Sequence, residues 1–66
     1  MTMTFAEAKK RLPRFAKGLA HDVHTVRDLR TAVLEEFSAY RRGENPLSVE
    51  QVEALGKFLA DTRGKD

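Results

Sequence analysis

The sequence predicts an all-α domain of three helices, and three observations predict it. Apolar residues recur at spacings of three and four along three separate stretches. Each stretch opens with a Ser or Thr placed to cap a helix: Thr4, Thr25 and Ser48. No stretch alternates apolar and polar residues as a half-buried strand does.

The first stretch starts at Thr4-Phe-Ala-Glu7, the pattern of a capping box. Phe5, Ala8, Leu12, Phe15, Ala16 and Leu19 then share one helical face. Pro13 interrupts the segment, and a proline inside a helix costs about 3 kcal/mol through a lost hydrogen bond and a clash. The apolar stripe nevertheless keeps its frame. The expectation is therefore a helix over residues 5–18 kinked near Pro13, or else two short helices meeting there. Gly18 is placed to cap its end.

Residues 20–24, AHDVH, connect to the central helix, expected over residues 25–42. This is the longest helical signal in the chain, with neither Gly nor Pro inside it. Val26, Leu29, Val33, Phe37 and Tyr40 line one face. Arg41 and Arg42 complement the negative end of the helix dipole, and Gly43 follows as a stop. The turn Gly43–Leu47 contains Asn45-Pro46, a strong turn signal. Ser48 and Gln51 then form a second capping box, with Leu47 and Val52 as its hydrophobic staple. The last helix is expected over residues 49–62, with Val52, Leu55 and Leu59 buried and residues 64–66 frayed. Gly56 beside that stripe suggests close approach of another helix.

Composition narrows the class. At 66 residues the chain has room for a single domain with a thin core. Charged residues make up 33% and hydrophobic residues 41%, within the range of folded domains rather than disordered ones. With no cysteine, disulfides are excluded. No apolar run approaches a membrane span, and the N-terminal residues lack the apolar core of a secretory signal. A cytosolic, non-membrane protein is the default expectation.

The net charge is only +2, but it is unevenly spread. Lys9, Lys10, Arg11, Arg14 and Lys17 face Glu7 alone within residues 1–18, while Glu44, Glu50, Glu53 and Asp61 face Lys57 alone within residues 43–62. On a continuous helix Lys10, Arg14 and Lys17 would lie opposite the apolar stripe and offer phosphates a salt-sensitive surface. The simpler reading of the same five cations is a solvated face. A sharper version is a helix-turn-helix in which Arg27, Arg30 and Thr31 face bases. Asp28, Glu35 and Glu36 oppose it.

Gly18-Leu19-Ala-His-Asp22-Val23, followed by Leu29-Arg30-Thr-Ala32-Val33 and the aromatic Tyr40, resembles part of the ProQ/FinO family of RNA chaperones. The resemblance would imply RNA binding. It covers residues 18–42, the spacing here is shorter than in the family, and no family site is carried over.

Enzymatic constellations are missing. There is no Cys nucleophile and no Gly-rich phosphate loop, and the adjacent Glu35 and Glu36 point to different sides of a helix. His21, Asp22 and His24 have no second cluster with which to complete a zinc site. No cofactor is implied. Leu34 and Phe58 sit off the stripes of their own helices, which marks them as candidate protein-interface residues. The leading expectation is a non-catalytic protein-binding module, an adaptor, inhibitor or regulatory homo-oligomer, with a homodimer through Leu34 or Phe58. The alternative is a nucleic-acid-binding regulator using the basic N-terminal face.

Overall fold

The computed structural model describes residues 3–64. Among them lie three α-helices, α1 (Phe5–Arg11), α2 (Val26–Arg41) and α3 (Val49–Asp61), and a 3₁₀ helix, Arg14–Ala20, between α1 and α2. No strand occurs among the described residues. Of the frayed residues expected at the C-terminus, 65 and 66 lie outside the described range.

The caps sit where the sequence puts them. Thr4 Oγ1 accepts from the Glu7 N–H at 3.1 Å and Thr25 Oγ1 from the Asp28 N–H at 3.1 Å. Ser48 and Gln51 close a complete capping box, each side chain bonding the other's backbone N–H at 3.1 and 2.9 Å. At the end of α2, Gly43 takes φ +78°. The Gly43 N–H bonds Tyr40 O at 3.0 Å and the Glu44 N–H bonds Ala39 O at 2.9 Å, the paired bonds of a Schellman motif. The exposed Arg42–Glu44 ion pair beyond it, at 2.7 Å, is screened by water and contributes little.

Pro13 separates two helices; it does not kink one. The residue before a proline is pushed out of the α region, and Leu12 takes ψ 135°. Pro13 itself is extended and precedes the 3₁₀ helix, whose first bond runs from the Ala16 N–H to Pro13 O at 3.0 Å. Gly18 lies inside this helix and does not have the positive φ of a C-terminal cap.

The core comprises Ala8, Leu12, Ala16, Ala20, Val26, Leu29, Val33, Leu55 and Phe58. The break at Pro13 resets the helical phase, so Ala16 and Ala20 point inward while Phe15 is 45% exposed. Tyr40, expected on the buried face of α2, is exposed near the end of that helix. α3 is rotated from its expected setting. Leu55, Phe58 and Thr62, spaced three and four apart, are buried, and Val52 and Leu59 are half-buried. Gly56 is exposed and nothing lies within 4 Å of the Cβ it lacks, so close helix approach is not its role.

A buried polar clasp accounts for the rotation of α3. Thr62 is fully buried and its hydroxyl donates to Phe58 O at 2.8 Å. The same oxygen accepts from Arg30 Nε at 3.1 Å, and Arg30 Nη2 donates to Leu59 O at 3.2 Å. α3 has no basic residue in its last turn. Arg30 of α2 therefore supplies the cation that complements its negative end.

Candidate functional site

The five basic residues do not assemble as one helical face, because the continuous helix that would carry them does not exist. Lys9, Lys10 and Arg11 occupy the last turn of α1, exposed, where cations offset the helix dipole. Arg14 opens the 3₁₀ helix. Lys17 folds back onto α1, its Nζ 2.6 Å from Lys9 O and 3.4 Å from Lys10 O. It thus adds a charged donor to carbonyls at the end of α1, of which Lys9 O also accepts from the Leu12 N–H at 3.3 Å. Arg30, a base-reading candidate in the helix-turn-helix arrangement, is committed to the clasp with Thr62 and Leu59.

The two interface candidates part company. Phe58 is 1% exposed and belongs to the core of the monomer, so it offers no surface. Its position off the Val52–Leu55–Leu59 stripe is explained by the rotation of α3 about the buried Thr62. Leu34 is 50% exposed on α2. With Phe37, Ser38 and Arg41 it lines a shallow depression of about 320 Å³.

A larger groove lies where the 3₁₀ helix, the α2–α3 turn and α3 meet. It has a volume of about 420 Å³ and apolar walls from Phe15, Leu19, Pro46 and Leu47, with the buried Leu55 beneath. Its polar lining residues are Glu36, Asn45 and Gln51. The Asn45 side-chain amide donates to the Glu36 carboxylate, tying the turn to α2. Sequence reasoning missed this groove because it assigned Phe15 to the core. Pro13 was the available signal: a break there decouples the phase of residues 14–20 from that of residues 5–11.

Among the described residues, no three His, Cys, Asp or Glu side chains come together as metal ligands. His21, Asp22 and His24 are exposed in the connector before α2. No helix among the described residues is long and apolar enough to cross a membrane. Compared with known proteins, the chain matches no family, no curated protein and no solved structure.

Proposed function

We propose that this chain is a non-catalytic protein-binding domain. The groove beside Phe15 carries the reading: a large aromatic side chain stays 45% exposed at the edge of an apolar groove. Leaving it there forgoes close to half of the ~1.5–3 kcal/mol that full burial of such a side chain contributes. A partner that covers the ring recovers that energy. Leu34 offers a second apolar patch, and the partner proposed for it is a second copy of the chain. A thin core gains from such an extension, and twofold dimers are the commonest assembly of soluble chains.

Photo-crosslinking tests the reading. A benzophenone amino acid replaces Phe15 or Leu34, and the variant is irradiated in nuclease-treated source lysate. Discrete protein adducts from these positions, and none from a control at exposed Glu53, are expected. No adducts would overturn the proposal. So would retention of duplex DNA or structured RNA in gel shifts that weaken steeply with salt, if irradiation in untreated lysate then gives crosslinks only to nucleic acid.

A further inference from the structure

We propose that the groove beside Phe15 receives a segment of a partner protein in which an apolar side chain stands next to a lysine or arginine. This rests on the protein-binding reading above and specifies the partner. The volume of about 420 Å³ falls within the range of ligand-sized pockets, about 300–1,000 Å³. Phe15, Leu19 and Leu47 supply walls for the apolar side chain.

Charge decides what stands beside it. Glu36 is the one ionisable side chain among the residues lining the groove, which include no Lys, Arg or His. It is half-buried, and a carboxylate partly withdrawn from water attracts a cation more strongly than one at the open surface. A carboxylate offers about four acceptor sites, and the Asn45 amide occupies one. Outside the lining the two borders oppose each other, the stretch 43–62 with four carboxylates against Lys57 and the 3₁₀ helix with Arg14 and Lys17, which leaves Glu36 as the charge inside. A basic group that reaches into the groove is therefore drawn to Glu36 and an acidic one is repelled by it.

Two neutral groups can align the backbone of the segment. Gln51 Oε1 accepts from the Ser48 N–H at 2.9 Å, which fixes the side-chain amide and leaves its N–H groups to donate to a carbonyl. Asn45 uses its amide N–H on Glu36, which leaves its oxygen to accept from an N–H. The groove thus offers an apolar slot, a cation acceptor, a donor and an acceptor.

Selection from a phage-displayed library of random dodecapeptides against the full chain tests this. Enriched peptides should share an apolar residue within one or two positions of Lys or Arg. A synthetic copy of one should shift the amide NMR signals of Phe15, Leu19, Leu47 and Gln51. Glu36→Gln keeps the shape and should weaken that peptide about tenfold, as expected for losing a hydrogen bond to a charged group. The same peptide with leucine in place of its basic residue should be insensitive to Glu36→Gln. Phe15→Ala should weaken both peptides. Enriched peptides without a basic residue, indifference to Glu36→Gln, or shifts confined to the Leu34 patch would overturn the groove's specificity while leaving protein binding intact. Failure to enrich any peptide would also overturn it, and the crosslinking experiment would then decide the broader reading by itself.

Discussion

Gly43 and Gly56 should respond in opposite directions to the same substitution. Neither would bring a Cβ within 4 Å of a neighbour, so packing does not separate them. Backbone conformation does. Gly43 sits at φ +78° in the Schellman motif, where an L side chain costs about 1–2 kcal/mol. Gly56 lies in the exposed middle of α3, where Ala is favoured over Gly by about 1 kcal/mol. Gly43→Ala should therefore lower the melting temperature and Gly56→Ala should raise it. At about 4–8 °C per kcal/mol in a domain of this size, the fall should be as large as the rise or up to twice it, read from thermal melts by circular dichroism. Gly43 as a stop was legible in the sequence, since it follows two arginines and precedes Asn45-Pro46. Gly56 was misread, because a glycine beside an apolar stripe looks the same whether or not a second helix lies over it.

At the scale of elements, local chemistry was readable and rotation about the helix axis was not. Thr4, Thr25 and Ser48 cap through bonds to their own near neighbours, so three residues of sequence suffice to foresee them. The face that α3 buries includes Thr62 at the helix end, held by Arg30 from 32 positions away. Periodicity alone puts Phe58 off its apolar stripe and Phe15 on one, whereas the structure buries Phe58 and leaves Phe15 45% exposed. Two substitutions test these elements. Pro13→Ala should not extend α1, because Leu12 is buried in its extended conformation. Helicity should stay level, and stability should fall by about 0.4–1 kcal/mol as the unfolded chain gains freedom. A rise in both helicity and melting temperature would show that a single helix through residue 13 is the preferred state. Thr62→Val keeps the shape but removes the hydroxyl that Arg30 Nε and Phe58 O share. It should cost about 1–3 kcal/mol in denaturant titrations, since a polar group that loses its partner inside the fold pays its desolvation in full.

For the whole molecule, the question is whether the fold stands alone. Among the described residues the fully buried large apolar side chains are few: Phe58, Leu29, Leu55 and Val33. Ala8, Ala16 and Ala20 contribute little area to the wall opposite them. If the Leu34 patch pairs with its copy, the melting temperature should climb with protein concentration, because association stabilises by mass action. Leu34→Glu should abolish that dependence and return sedimentation mass to that of a monomer. A monomeric mass at hundreds of micromolar with a constant melting temperature would leave Leu34 without a self-partner. The all-α class was legible from periodicity, whereas the groove was not. Its walls come from three places in the sequence, and no single stretch advertises a surface that only packing brings together.

The Arg30 clasp has a consequence in time as well as in energy. It joins residues 29 and 32 positions apart, whereas the α2–α3 turn closes through neighbours. Short-range closures form first, since the entropy of closing a loop grows with its length. The clasp is thus expected to form late in folding and to open early. Thr62→Val should therefore accelerate unfolding in stopped-flow chevrons while leaving refolding nearly unchanged. Amide hydrogens in the last turn of α3 should exchange before those around Leu29 and Val33. A molecule so arranged opens from the far end of its helical hairpin, like a clothes peg released at the tips while the spring still holds.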